Sequence, residues 1–233
     1  KIDSFKRKIN AFGFYFASLD IRQDSRVIYR TLLDVFLHQP ELKPVTFDNL
    51  DELEQIESLL SIDGSVNLAQ INNAISKDTL ESLYAIGEIQ SANGEQSCHR
   101  YIISNCRGAI DVARLFALFR LCGWNNRDLS VDIIPLFETI SDLKCSEKSM
   151  RTLYESVNYR QHLERRTNKQ TMMLGFSDGT KDGGYLMANW AIYSAEESLT
   201  RVSRQYDVEA CFFDGRGGPP ARGGGSTYKF YSS

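Results

Sequence analysis

Five times along the chain a short apolar or aromatic run gives way at once to charged or polar residues, and no other feature constrains the fold as much. The runs are Phe12 to Leu19 before DIRQDSR, Tyr101 to Ile103 before SNCRG, Val131 to Phe137 before ETISD, Thr171 to Phe176 before SDGTKDGG, and Val208 to Phe213 before DGRGG. Each is short enough for one buried strand. The stretches between them carry helical spacing: Val112, Leu115, Phe116, Phe119 and Leu121 in one, and Trp190, Ile192, Tyr193, Ala195, Leu199 and Val202 in another. The stripe through Trp190 and Tyr193 reads as core packing. Strands alternating with helices predict parallel strands joined by crossovers, with the chemistry collected at the strands' carboxyl ends. Residues 38 to 95 depart from this rhythm. HQPELKP reads as a proline-broken loop, and Leu50, Leu53, Ile56, Leu59 and Leu60 share one helical face, so the segment is expected to be a helical insertion. Five strands make an open sheet or an incomplete barrel, because closure needs about eight. The expectation is a piece of a longer chain.

The 233 residues are 42% hydrophobic and 24% charged, which suits one soluble globular domain or a large part of one. Lys and Arg number 27 against 30 Asp and Glu, a formal charge of -3, so no overall positive field draws nucleic acid or anionic lipid. No apolar stretch approaches the ~18 residues of a spanning helix, and the opening KIDSFKRKIN is not a signal peptide. The cytoplasm is the expected compartment. Five scattered cysteines, Cys98, Cys106, Cys122, Cys145 and Cys211, never fall as CxxC and read as small buried hydrophobes. Cys98, His99 and Cys106 match no zinc spacing. His38, His99 and His162 are expected in structural or solvent-facing roles.

Four segments carry chemistry. In DGRGGPPARGGG the glycines let backbone N–H groups approach an anion while Arg216 and Arg222 offer planar forks, and a flexible linker is the alternative. Neither a Walker loop nor GxGxxG after a strand is present. In GFSDGTKDGG, residues 175 to 184, Asp178 and Asp182 could hold a hard divalent ion while Lys181 meets an anionic substrate; equally, Ser177 or Asp178 could cap the helix that follows. Glu138, closing the apolar strand of PLFET, is either a metal ligand or a solvated loop residue. Asp20, Arg22, Asp24 and Arg26 in LDIRQDSR read, taken alone, as a surface ion-pair ladder. If the strands are parallel and adjacent, these groups converge: two carboxylates for a metal beside several cations, an inventory for a phosphorylated acid.

LDIRQDSR, PLFET, GFSDGTKDGGYLMANW and FFDGRGGPPARGGG occur in the order and context of phosphoenolpyruvate carboxylases, and the chain resembles that family from about residue 12 onward, least in 38 to 95. The resemblance implies an α/β fold, a partial (β/α)8 barrel of TIM type with about five parallel strands and additional helices, in a chain that is usually homotetrameric. The implied reaction makes oxaloacetate from phosphoenolpyruvate and bicarbonate with Mg2+ or Mn2+, through carboxyphosphate and an enolate. By motif position Glu138 and Asp178 resemble the metal ligands, Arg22 and Arg216 the arginines around the substrate phosphate, and Lys181 the lysine on the bicarbonate side. Arg222 resembles the arginine of a mobile glycine-rich loop, here about 214 to 225, which in some members contacts an acidic inhibitor such as aspartate or malate. Asp214 stands where many members carry histidine and is counted with Lys181, Arg216 and Arg222 among the catalytic candidates. The family's TAHPTE histidine motif is not among these residues, so the chain alone is expected to be a central fragment without carboxylase activity. Another metal-dependent barrel lyase or mutase acting on a phosphorylated acid is the second reading, and a non-catalytic anion-binding module the third.

Overall fold

Parallel strands β1 (Asp20–Asp24), β2 (Arg100–Ser104), β3 (Asp132–Phe137), β4 (Lys169–Gly175) and β5 (Glu209–Gly215) form one sheet in the order β1-β2-β3-β4-β5. The computed structural model describes residues 1–13, 15–124 and 129–215; the side chains of Ser177, Asp178, Asp182 and Asp214 also lie outside that description. Because each crossover advances one position in the same direction, right-handed connections lay every intervening helix on the same face. This is the winding of a (β/α) barrel, not of a doubly wound sheet whose order reverses, and five strands make it a partial one.

Burial confirms the two faces. Tyr101 and Ile103 of β2, Ile133 and Phe137 of β3, and Met172 and Leu174 of β4 belong to the large apolar cluster shared with the helices. Their sequence neighbours Ile102, Ile134 and Leu136, with Met173, form a separate small cluster on the opposite, inner face. Strand alternation thus divides a core from what would be a barrel interior.

The helices are α1 (Ile2–Phe12), α2 (Ser25–His38), α3 (Glu52–Leu60), α4 (Ala74–Asn93), α5 (Ala109–Leu121), α6 (Ile140–Glu155), α7 (Val157–Arg165) and α8 (Ser177–Gln205). Their starts are written in the sequence. Asp24 caps α2, Asp51 forms a capping box with Glu54 at α3, and Asn73 accepts from two amides at α4. Helix α5 is buried on nearly every side, from Val112 through Leu121, and packs against α2 and α3. The expected insertion at 38 to 95 is helical, with α3, α4 and 3-10 turns at Pro40–Leu42, Phe47–Asn49, Leu68–Gln70 and Glu95–Ser97.

Several expectations are corrected. The first strand is not the run Phe12 to Leu19; α1 ends at Phe12, and β1 is made of the polar segment that follows. Only Ile21 of β1 packs on the main cluster, so one apolar residue and the pairing with β2 suffice. Cys98, Cys106 and Cys122 are buried as expected, but Cys145 is exposed and Cys211 only partly covered. On α8, Ile192, Ala195, Leu199 and Val202 enter the core while Trp190 and Tyr193 remain exposed and meet in a tilted ring contact, because they fall on the helix face turned away from the sheet. His162 is fully buried between Phe116 and Tyr159.

Candidate active site

Which side chains can meet at the carboxyl ends of the strands follows from register. Arg22 pairs with Ile102, and Ile102 with Ile134, so Arg22 shares the inner face that those isoleucines occupy. Leu136 occupies the same face, and Glu138 follows it by two residues. The flanks of Glu138 leave it nowhere else to go. Phe137 is buried among the helices, and Thr139 caps α6 through a capping box with Asp142. The carboxylate therefore reaches the rim, with 18% of its side chain exposed.

There Arg22 Nη2 donates to Glu138 Oε1 at 3.1 Å, joining residues 116 positions apart. The backbone N–H of Asn105, just past β2, donates to Glu138 Oε2 at 3.1 Å. Gly175 explains how β4 comes so near. A Cβ there would lie 2.9 Å from Glu138 Cα and 3.3 Å from the Phe137 carbonyl oxygen, so only glycine leaves the two strand ends undisturbed.

Asp24 closes β1 and accepts from the Arg26 backbone N–H at 2.8 Å and from its guanidinium at 2.7 and 2.9 Å. The Arg26 hydrogen bond holds the Asp24 carboxyl below the usual carboxylate range, partly opposed by burial. The expected ladder in LDIRQDSR is thus resolved into separate partners: Asp20 pairs with Arg100 at 2.6 Å, Arg22 with Glu138, and Asp24 with Arg26.

Helix α8 begins directly after β4, with Phe176 at its N-cap; the capping role weighed for Ser177 or Asp178 belongs to side chains outside the described residues. The helix breaks at Gly184 (φ 78°, ψ 172°), which sets the turn holding Asp178 and Lys181 apart from the long helix beyond. Lys181 is exposed on that turn. Asp178 is the second residue of α8, and Asp214 lies in β5 paired with Leu174, but the side chains of both are outside the described residues. Arg216, Arg222 and the glycine-rich loop from 216 onward lie outside them too. The structure therefore brings Arg22 and Glu138 into contact, and the strand order carries the segments bearing Asp178, Lys181 and Asp214 to the same end of the sheet.

A hard divalent ion takes oxygen ligands, and the Glu138 carboxylate at this rim is of that kind; Asp178 would make the donor set all-oxygen. Among the described residues no three His, Cys, Asp or Glu side chains gather as a metal cluster. Asn105 and Ser25, whose hydroxyl donates to the Asn105 carbonyl at 2.7 Å, were not singled out by sequence reasoning. The only signal for Asn105 was the polar SNCRG following the second apolar run, and for Ser25 its place in LDIRQDSR.

The opposite end of the sheet is built differently. A cavity of about 350 Å3 there is lined by Asp20, Arg100, Asp132, Arg166 and Lys169 among others. Arg166 bridges Asp132 and Glu95, and Arg100 is engaged by Asp20, so these charges pair with one another across the strand starts. Such pairing at the amino ends of a barrel's strands serves stability, while the carboxyl ends carry chemistry.

The phosphoenolpyruvate carboxylase family model matches residues 1–231. Phosphoenolpyruvate carboxylases of Corynebacterium diphtheriae and Nitrosomonas eutropha are each 34% identical over 98% of this chain, which covers 26% and 25% of their respective lengths. That of Gloeobacter violaceus is 31% identical over 95% of this chain and 24% of its own length. The chain spans about a quarter of the length of the curated relatives it matches. No helix among the described residues is long and apolar enough to cross a membrane.

Proposed function

The chain belongs to the phosphoenolpyruvate carboxylase family, and from that premise we propose that the protein joins bicarbonate to phosphoenolpyruvate, giving oxaloacetate and phosphate in an anaplerotic, carbon-fixing step. One observation carries the reading to particular residues: Arg22 and Glu138, far apart in sequence, meet at the carboxyl ends of parallel strands.

In this reading Arg22 and Arg216 receive the substrate phosphate, whose oxygens match a planar fork. Lys181, a compact cation, holds bicarbonate beside it. Glu138 and Asp178 would hold Mg2+ or Mn2+, which when bound supplies positive charge for the developing enolate oxygen. Bicarbonate oxygen attacks phosphorus, the bond from phosphorus to the enol oxygen breaks, and carboxyphosphate and the enolate of pyruvate result. Carboxyphosphate releases CO2, and the enolate carbon captures it. The arginines and Lys181 stabilise charge on the transferring phosphoryl group through preorganised donors. Closure of the glycine-rich loop carrying Arg222 excludes water that would protonate the enolate to pyruvate. Asp214 takes the position where many members place an imidazole for proton handling. The reading extends to a cytoplasmic homotetramer inhibited by an acidic ligand such as aspartate or malate.

The test is oxaloacetate formation by the intact protein, coupled to malate dehydrogenase, with phosphate release followed as bicarbonate is withdrawn. Strict dependence of both on bicarbonate and on Mg2+ or Mn2+ supports the reading. Phosphate release indifferent to bicarbonate assigns a different barrel lyase or mutase, and Mg2+-dependent binding of a substrate analogue without turnover assigns a binding module. The 233-residue chain by itself is expected to form no oxaloacetate. In the intact protein Asp178→Asn should raise the metal concentration needed and sharply lower turnover, and Arg216→Lys should also impair it.

A further inference from the structure

Resting on the reading of Glu138 as a metal ligand, we propose that Asn105 is a positioning residue whose backbone N–H, locked by the buried Ser25, aims the Glu138 carboxylate at a divalent cation. Asn105 has φ 54°, a left-handed conformation that asparagine tolerates and β-branched residues resist. That conformation points its N–H at Glu138 Oε2, 3.1 Å away. Its carbonyl accepts from Ser25 Oγ at 2.7 Å, and Ser25 is only 5% exposed at the start of α2.

The residues on either side are pinned as well. Ser104 Oγ donates to the Gln23 carbonyl of β1 at 3.2 Å, and Cys106 N–H donates to the Leu136 carbonyl of β3 at 3.2 Å. The buried Cys106 thiol turns inward to the Gly108 carbonyl at 3.6 Å. Asn105 is thus tied to β1, β3 and α2 at once, and its N–H cannot swing without breaking those bonds.

Arg22 and the Asn105 N–H hold Glu138 in different ways. Arg22 is a long side chain, 49% exposed, and a substrate phosphate competes for its guanidinium. The Asn105 N–H belongs to a fixed backbone and has no such second task. When Arg22 turns to phosphate, Oε2 stays tethered to the Asn105 N–H, so the carboxylate keeps the orientation in which it meets the ion. Partners of metal ligands characteristically act in this way, fixing rotamer and direction.

Mn2+ binding to the intact protein without substrate, followed by electron paramagnetic resonance of free Mn2+, tests the role apart from turnover. Asn105→Val, which disfavours φ 54°, should weaken Mn2+ binding about tenfold. Asn105→Gly, which accepts that φ and keeps the N–H, should recover most of the affinity. Ser25→Ala should weaken binding about fivefold, the loss expected for one hydrogen bond. Unchanged affinity in Asn105→Val, or equal losses in the Gly and Val variants with melting curves intact, overturns the role of the N–H. If Asn105→Val does not fold, Ser25→Ala decides, and wild-type affinity there overturns the proposal. A wild-type protein that binds no Mn2+ overturns instead the metal reading on which it rests.

Discussion

Arg22 and Glu138 hold one another across the rim, and a phosphate dianion changes which partner the guanidinium prefers. Lysine could keep an ion pair with Glu138 but could not offer two parallel N–H donors to phosphate. Arg22→Lys is therefore expected to lower kcat/KM for phosphoenolpyruvate by roughly ten- to a hundredfold, the range for losing a charge-assisted hydrogen bond, as steady-state kinetics would show. Gly175→Ala acts by packing. Its Cβ would press on the Glu138 backbone at 2.9 Å, so about 1–3 kcal/mol of destabilisation is expected, measurable as a lowered Tm together with weaker metal binding. Glu138 was legible in the sequence because it stands where a strand gives way to polar residues, whereas Arg22 was picked out behind a run that is not the strand and lies within β1 itself. Their contact was not, since it depends on a register that sequence does not print. Asn105 was legible least of all: it acts through a main-chain N–H, a group every residue except proline carries.

At the scale of elements, β3 and α6 share a junction that controls Glu138 from its other side. The Thr139 hydroxyl accepts from the Asp142 N–H at 3.1 Å while the Asp142 carboxylate accepts from the Thr139 N–H at 3.0 Å. Thr139→Ala removes half of this reciprocal cap and should cost about 1 kcal/mol, seen as a lower Tm, and should loosen the segment that presents Glu138. Asp142→Asn is expected to be milder, since an amide oxygen can still accept. Strands β2 to β5 could be read from their apolar runs because both faces of most of them are covered. Strand β1 escaped that rule: its inner-face residues are Asp20, Arg22 and Asp24, and its burial is slight. The aromatic residues before it were the more hydrophobic candidates, yet Phe12 and Phe16 stay exposed and stack together. Helix α7 misled in the opposite sense. VNYRQHLER looks polar, but Tyr159, His162 and Leu163 fall on one buried face, a pattern that three residues among nine display only weakly.

The burial of His162 has a consequence for the whole molecule, because the histidine sits where α7 meets α5. It packs edge-on against Phe116, and its Nδ1 has no hydrogen-bond partner among the described residues. Burial is the main cause that lowers its pKa to about 4, with Arg166 and Arg165 adding to the fall and Asp132 opposing it. The unfolded chain takes up this proton near the ordinary value of 6.5, so between those two pH values it binds more protons than the native state. Native stability is therefore fully present above pH ~6.5 and falls as the pH drops, by about 1.4 kcal/mol per unit until pH ~4. Paired carboxylates such as Asp24 and Glu147, whose pKa values are lowered chiefly by hydrogen bonds from Arg26 and Arg151, lose their contribution only at the acid end of this range and below. The two sources can be separated by a variant that keeps the ring and removes the titration. His162→Phe should fill the same space between Phe116 and Tyr159 and flatten the decline between pH 6.5 and 4.5, leaving the carboxylate loss below it. Melting temperatures of both proteins measured across pH 7.5 to 4 would show curves that diverge below pH 6.5. Parallel curves would mean that His162 is protonated in the native fold and that water or a rearranged α7 reaches it.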